Sequence, residues 1–482
     1  MSKNKFYLTA AIPYVNAKPH LGHALEFVQG DVLARWHRLR GIKTFYVSGA
    51  DENSLKVVRA AEEGGVSVQE FADKNTKEFV DFLKLYHVSL DKFQRSSSPE
   101  HKDVAQDFWR ACEKSGAIYK KKYKGLYCVS CEVFYQKEEL DEKGQCLYHP
   151  GKMIEEVEEE NYFFKLSEYQ DKLIDLIESD AYKIRPLSRK NEARAFIKHG
   201  LDDFSISRSV ERAKGWGVSV PNDPGHIMYV WFDALNVYRS AAPHYWPADL
   251  HIIGKDILRF HAVYWPAMLL AAGESLPKEL FVHGFITSNG KKMSKSLGNV
   301  VDPVALVEKY GVDAVRYYLL REIPSDDDGD FSEESFIKRY NGDLANGLGN
   351  FASRVLTLAE AEEDLAVLSE GALDPDILRS VNVCIENLDK KIEERRFHEA
   401  IAEALQLTSV GDGYLNNKTP WKMESGEEKS LVLSNCLFVL DKLTHAIAPF
   451  LPETRAKLDD ALKAVDGVWV VKKLKSSLFP RL

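Results

Sequence analysis

His20-Leu21-Gly22-His23 sets two imidazoles three residues apart, where a strand-like run (Phe6 to Tyr14) gives way to a helical one. The first turn of a helix presents N–H groups without intrahelical partners and a partial positive charge, so it suits a polyphosphate. Gly22 has no side chain, so a flat base can come close to the backbone. Taken alone, these four residues fit ordinary surface histidines or a metal pair better. Lys292-Met293-Ser294-Lys295-Ser296 shifts that balance. It lies between Gly290 and Gly298 after a strand-like run. Two lysines there can neutralise charge gathering on the α-phosphate and departing pyrophosphate of a triphosphate. A third pattern, Cys128-x2-Cys131-x14-Cys146-x2-His149, has the spacing of a tetrahedral zinc knuckle. Protein would fill all four positions, leaving none for water, so this Zn2+ would be structural.

These groups need a scaffold. Leu21, Leu25, Val28, Val32, Trp36 and Leu39 recur at three- and four-residue steps, predicting a helix from Leu21 to Leu39 that Gly41 stops. Thr44 to Val47 predicts a strand. Strand, helix, strand with tight connections is a βαβ unit, hence a parallel sheet with ligands at the carboxyl ends of its strands. Sheet-like runs return at Leu250-His251-Ile252-Ile253 and Glu279-Leu280-Phe281-Val282. Between the βαβ unit and these runs lie the cysteine cluster, an acidic run (Glu155, Glu156, Glu158, Glu159, Glu160) and a Gly/Trp/Pro-rich exit, predicting an insertion with its own core. After Asp326-Asp327-Asp328 strands are expected to stop, and Leu433, Leu437, Leu440 and Ile447 mark a helical stripe. The expected fold is α/β, with a Rossmann-like parallel-sheet catalytic domain in two halves, residues 1–115 and 226–335. A zinc-knuckle insertion, 116–225, splits it, and an all-α domain, 336–482, follows.

A chain of 482 residues, 45% hydrophobic and 28% charged, has room for two to four domains. Its net charge of −9 argues against nucleic-acid binding by bulk charge, so any such contact must be local. Lys120, Lys121, Lys122 and Lys124 form one basic cluster, and Arg185, Arg189, Lys190 and Arg194 another; solvated surface explains either equally well. No apolar run reaches the roughly 18 residues of a membrane span, so no membrane partner is expected. The polar start, Met1 to Lys5, has neither an apolar signal segment nor an Arg-rich presequence, and a cytoplasmic location is expected. Six cysteines in so long a chain make no disulfide scaffold. Cys112, Cys384 and Cys436 read as buried apolar positions.

The histidine and lysine signatures resemble the HIGH and KMSKS motifs of class I aminoacyl-tRNA synthetases, the first with Leu for Ile, the second unchanged. Within that class, Ala11-Ile12-Pro13-Tyr14-Val15-Asn16, Glu158 to Phe164, Tyr229-Val230-Trp231-Phe232-Asp233-Ala234 and Ile253 to Ile257 are similar to methionyl-tRNA synthetases. The likeness runs from about residue 5 to 360 and more weakly beyond. It implies a ligase that joins methionine to methionine tRNA with ATP and Mg2+, and no DNA partner. Catalysis would fall to His20, His23, Lys292 and Lys295, with Gly22, Asp256, Ile257, Met293, Ser294 and Ser296 against ATP. The resemblance places Ile12, Tyr14, Trp231, Ala234, Leu235, Tyr238, Phe260 and His261 around the methionine side chain, and Asp51 at its α-amino group. Aromatic walls suit a polarizable thioether. Asn350, Arg354 and Trp421 would read the anticodon, with Trp421 stacking on an unpaired base.

One departure stands out: Asn53-Ser54 follows Asp51-Glu52 where the family often has His-Gly, which puts the neighbouring turn in doubt. The rivals are another class I synthetase, for cysteine or an aliphatic residue, and a non-catalytic tRNA-binding relative. Against the first, the insertion is short and carries the cysteines away from both signatures; against the second, both signatures are intact. A monomer is expected.

Overall fold

The computed structural model describes residues 5–128, 133–135, 137–147, 154–293 and 299–482. Its contacts divide into two units. The first comprises Met1–Pro19, Gly41–Lys84 and Ser89–His283; the second comprises His20–Arg40, Leu85–Val88 and Gly284–Leu482.

Six strands make the sheet of the first unit: β1 (Lys5–Ala10), β2 (Lys43–Ala50), β3 (Lys92–Arg95), β4 (Lys183–Arg185), β5 (Leu250–Gly254) and β6 (Glu279–His283). Their order is β3-β2-β1-β5-β6-β4, and every pairing is parallel. Leu8, Ala10, Ile252, Ile253, Leu280 and Val282 are all buried, as a sheet covered on both faces requires. Strand order reverses between β1 and β5, which opens a ligand crevice at their carboxyl ends. Between β2 and β3 the spacing excludes a side chain: a Cβ on Gly49 of β2 would lie 2.0 Å from the Gln94 carbonyl of β3.

The span 116–225 differs from the expected insertion in two respects. It supplies β4 to the main sheet, because Lys183–Arg185 has free ladder groups that pair with β6. Nor do its described residues form a separate core: Phe164, Ile177 and Ile197 belong to one buried cluster with Phe108, Trp231 and Trp265. Its larger sheet runs Val133–Tyr135, Ile118–Cys128, Glu155–Phe164, Phe204–Ser205 in spatial order. Lysines and glutamates face each other across it, Lys122 against Glu160 and Lys124 against Glu158 in register. Lys120 Nζ lies 3.0 Å from Asp223, and Lys124 Nζ 3.4 Å from Glu156. In the other basic cluster Arg185 pairs with Glu279, Arg189 with Glu192, Lys190 with Asp180 and Arg194 with Glu178. Lys120, Lys124 and all four residues of the second cluster are therefore engaged with acids of their own unit.

The second unit begins with α1 (Leu21–Leu39), with the bounds its periodicity predicts, so the span 1–115 is shared between units. Asp31 on α1 is fully buried and 2.8 Å from Arg316 Nη2, also fully buried. Arg316 donates to three carbonyls as well: Nε to Phe450 at 2.8 Å, Nη1 to Tyr86 at 2.9 Å and Nη2 to Pro449 at 3.0 Å. Farther along α1, Trp36 Nε1 donates to Asp389 at 3.1 Å, and Arg40 pairs with the same carboxylate. Glu427–Ile447 is apolar and long enough to cross a membrane, yet it is a core helix here, with Leu433, Leu437, Leu440 and Ile447 fully buried. Strands do not stop at Asp328. Gly329–Phe331 pairs with Ile286–Ser288, and Leu462–Val465 forms a hairpin with Val468–Val471. Asp466 and Gly467 both have positive φ (50° and 82°), which is the backbone a two-residue hairpin turn needs.

Candidate active site

Where β1 and β2 end, their pairing continues. Asp51 N–H donates to the Pro13 carbonyl at 2.9 Å, and Tyr14 and Asp51 form a parallel bridge. That extra rung sets Asp51 and Tyr14 opposite each other where the two strands end. Trp231 stands on the short helix Val230–Ala234, with Tyr14 edge-on at 6.3 Å and Phe260 stacked parallel at 3.8 Å between centroids. His261 meets Trp231 edge-on at 6.3 Å. Ile12, Ala234, Leu235 and Tyr238 pack into the same apolar cluster. All nine residues expected around methionine thus lie in the first unit, on one buried aromatic wall and its rim. Asp256 and Ile257 follow β5 on the one-turn helix Lys255–Ile257, with Asp256 exposed.

Burial holds the His261 pKa down to about 4, opposed by its bond to a backbone carbonyl. The ring is therefore neutral near pH 7. Nδ1, 3.1 Å from the Ile257 carbonyl, must carry the proton, so Nε2 accepts from Tyr238 Oη–H at 2.9 Å. This chain of bonds fixes the ring without leaving a charge in the pocket. His251 lies beneath, 2.5 Å from Thr9 Oγ1, and its pKa falls well below the ordinary value through burial first and His261 second. Unfolding returns both groups to an ordinary pKa of about 6.5. Below that value the unfolded chain binds more protons than the folded one, so stability rises with pH across a window up to about 6.5, for His261 from about 4. Their contribution is fully present above that window and is lost as pH falls through it. We expect the urea midpoint to fall from pH 6.5 to 5, as the unfolding free energy falls by up to about 1.4 kcal/mol per pH unit for each histidine. A midpoint flat over that range would rule this out.

His20 is the N-cap of α1 in the second unit. Its side chain accepts from His23 N–H, and His23 Nδ1 accepts from His20 N–H at 3.1 Å. The rings stack at 3.7 Å. With Nδ1 accepting, a neutral ring carries its proton on Nε2, the nitrogen that can donate to a phosphate. A Cβ on Gly22 would come within 3.1 Å of the His20 ring, so a glycine keeps this stack uncrowded. In the same unit Lys291–Lys292 pairs antiparallel with Ile286–Ser288 through a turn at Asn289 and Gly290. Asp330 roots the turn, accepting from Thr287 Oγ1 at 2.6 Å and Gly290 N–H at 2.8 Å. Met293 follows; Ser294, Lys295 and Ser296 lie outside the described residues.

Cys128 and Cys146 are buried in one cluster, with the Cys146 thiol 3.7 Å from Tyr135 Oη. Cys131 and His149 lie outside the described residues, and among the described residues no group of three metal-ligating side chains occurs. Cys112, Cys384 and Cys436 are buried, as expected.

Asn350 and Arg354 stand four apart on the helix Asn350–Glu360 and so share a face. The Arg354 guanidinium lies 5.3 Å from the Trp421 ring and is aimed by Asp412 at 3.0 Å and Asn416 at 2.8 Å. Trp421 remains 45% exposed, too much for a packing role alone. Thr419, in the left-handed region at φ 47°, turns the chain just before Pro420-Trp421.

The family described as "tRNA synthetases class I (M)" matches residues 6–154 and 147–356, and an "Anticodon-binding domain of tRNA ligase" matches 374–458. Methionine–tRNA ligase of Brucella melitensis is 41% identical over 96% of this chain and 93% of its own. That of Rhizobium meliloti is 42% identical over 94% and 91%. The chain belongs to the class I methionyl-tRNA synthetases. A solved Mycobacterium tuberculosis methionyl-tRNA synthetase in complex with methionyl-adenylate superposes on this synthetase with a TM-score of 0.92. It is 37% identical and covers 99% of this chain and 100% of its own. The fold is accordingly a class I catalytic domain with a parallel sheet, followed by a helical anticodon-binding domain. Sequence reading missed His101, Asp233 and His251, buried polar groups next to the aromatic wall; a polar residue inside an apolar run (Asp233 after Trp231-Phe232) was the available signal.

Proposed function

We propose that this synthetase activates methionine with ATP and transfers it to the 3′-terminal adenosine of methionine tRNA. The observation that carries the reading is the bridge that sets Asp51 opposite Tyr14, whose ring meets the stacked Trp231 and Phe260: a carboxylate for an ammonium next to an aromatic wall for a thioether. The methionine carboxylate attacks the α-phosphorus, forming a mixed anhydride and releasing pyrophosphate. A ribose hydroxyl of the tRNA then attacks the activated carbonyl, forming the ester and releasing AMP. His20 and His23 donate to phosphate oxygens, and Lys292 and Lys295 offset charge on the leaving group; no protein nucleophile takes part. Gly22, Asp256, Ile257, Met293, Ser294 and Ser296 are assigned to ATP. Mg2+ supplies further charge neutralisation when bound with ATP. Asn350, Arg354 and Trp421 are assigned to the anticodon, a role supported by the exposed cation–π pair.

A structural Zn2+ on Cys128, Cys131, Cys146 and His149 is part of the proposal. The buried thiols of Cys128 and Cys146 support it, since thiolates paired with imidazole suit zinc. A monomer is also proposed.

Amino-acid-dependent ATP–pyrophosphate exchange, run with all twenty amino acids, tests the reading. Exchange with methionine alone is expected, from protein holding one zinc per chain and eluting as a monomer. Trp231→Ala should raise the methionine KM on the order of 10²-fold, in line with loss of a buried aromatic anchor. Exchange with another amino acid, or none from folded protein, would overturn it.

A further inference from the structure

We propose that Asn53 is a positioning residue for methionine, tying the turn that carries Asp51 to the helix that carries Trp231. The inference rests on the assignment of Asp51 to the α-amino group and Trp231 to the side chain. Directly after Asp51, both Glu52 and Asn53 are buried. Glu52 is fixed on one side. Its carboxylate accepts from Arg95 Nε at 2.8 Å and Thr76 Oγ1 at 2.6 Å, and its carbonyl accepts from Trp216 Nε1 at 2.7 Å. Asn53 reaches the other way. Its Nδ2 donates to Asp233 Oδ2 at 2.7 Å and to the Ser96 carbonyl at 2.9 Å, which commits both amide hydrogens.

Asp233 sits between Trp231 and Ala234 on Val230–Ala234. Its other oxygen is 2.6 Å from His101 Nε2, and His101 Nδ1 is 3.1 Å from Ser240 Oγ, on the helix Val237–Ser240 that carries Tyr238. One buried chain, Asn53–Asp233–His101–Ser240, thus spans the amino-group anchor and two elements of the aromatic wall. Removing the amide leaves a carboxylate oxygen and a carbonyl without their donor in a dry setting, so the turn and the helix lose their common reference. Ser54 completes the turn as N-cap of Leu55–Gly64, accepting from Val57 N–H. The Asn53-Ser54 pair is therefore a self-consistent way of building this corner.

Exchange kinetics with methionine, paired with inhibition by its analogue lacking the α-amino group, test the role. Asn53→Ala should raise the methionine KM on the order of tenfold, leave the ATP KM about unchanged, and leave the analogue's Ki unchanged, because the analogue has nothing for Asp51 to hold. Asn53→Asp should be worse, setting two carboxylates against each other. Asn53→Asp/Asp233→Asn should regain part of the loss, since donor and acceptor have changed places. Equal weakening of methionine and analogue by Asn53→Ala, or no recovery in the double variant, overturns the positioning role. Asp51→Ala is the control: if it too weakens both ligands alike, the amino-group assignment falls and the inference with it. If Asp51→Ala discriminates and Asn53→Ala does not, only the positioning role falls.

Discussion

His20→Asn is expected to leave the protein folded and to slow methionine activation by about two to three orders of magnitude. The cap and the chemistry separate at this position. Asparagine is as good an N-cap as nature uses, so the first turn of α1 keeps an acceptor for the His23 N–H. His23 Nδ1 still accepts from the backbone N–H of residue 20, which no side-chain change removes. What disappears is the stacked imidazole and the donor on its far nitrogen. Loss of one preorganised donor to developing negative charge costs on the order of 10²–10³ in rate. The methionine KM should hardly move, because His20 belongs to neither the aromatic wall nor the Asp51 turn. Exchange kinetics and a thermal melt on one preparation decide the matter; a rate within about threefold of the parent would refute the role given to His20.

Arg316→Met should be the most destabilising single change considered, at about 3–5 kcal/mol. Removing the guanidinium strands the fully buried Asp31 and takes a donor from each of the Tyr86, Pro449 and Phe450 carbonyls. Arg35 Nε, 2.7 Å from Asp31, offsets only part of that loss. Adding Asp31→Leu removes the stranded charge, and replacing both members of a buried pair is often nearly neutral. Here the recovery should be incomplete, because the three carbonyls stay without their donor. Two units need not unfold together, so the measurement is urea unfolding followed by more than one probe. A double variant as stable as the parent would show that the carbonyl bonds contribute little.

Much of this was legible in the chain. α1 could be bounded to the residue because its apolar positions keep helical spacing and a glycine ends them. β1, β5 and β6 announced themselves as apolar runs. β4 did not: Lys-Ile-Arg has one apolar side chain, and its place in the sheet rests on backbone groups common to every residue. The C-terminal hairpin had a signal, Asp466-Gly467 between valines, that helical periodicity around it obscured. The basic clusters stayed ambiguous in sequence for a related reason. Lys120 to Lys124 are answered by an acidic strand some thirty residues on, visible only once the two are paired. Within the site, the aromatic wall came through motif likeness, whereas Asn53, His101 and Asp233 meet across gaps in sequence that no local pattern spans.

The anchoring of α1 bears on how such a protein can be cut and rejoined. A fragment stopping at Phe331 would keep both the histidine and the lysine signatures. It would nevertheless lack Asp389, the partner of Trp36 and Arg40, and the Pro449 and Phe450 carbonyls that receive Arg316. Half-exposed polar groups would then line a helix whose first turn has to hold its shape. The anticodon helices are thus no detachable accessory, and chimaeras of this synthetase should tolerate exchange only where α1 and those helices travel together.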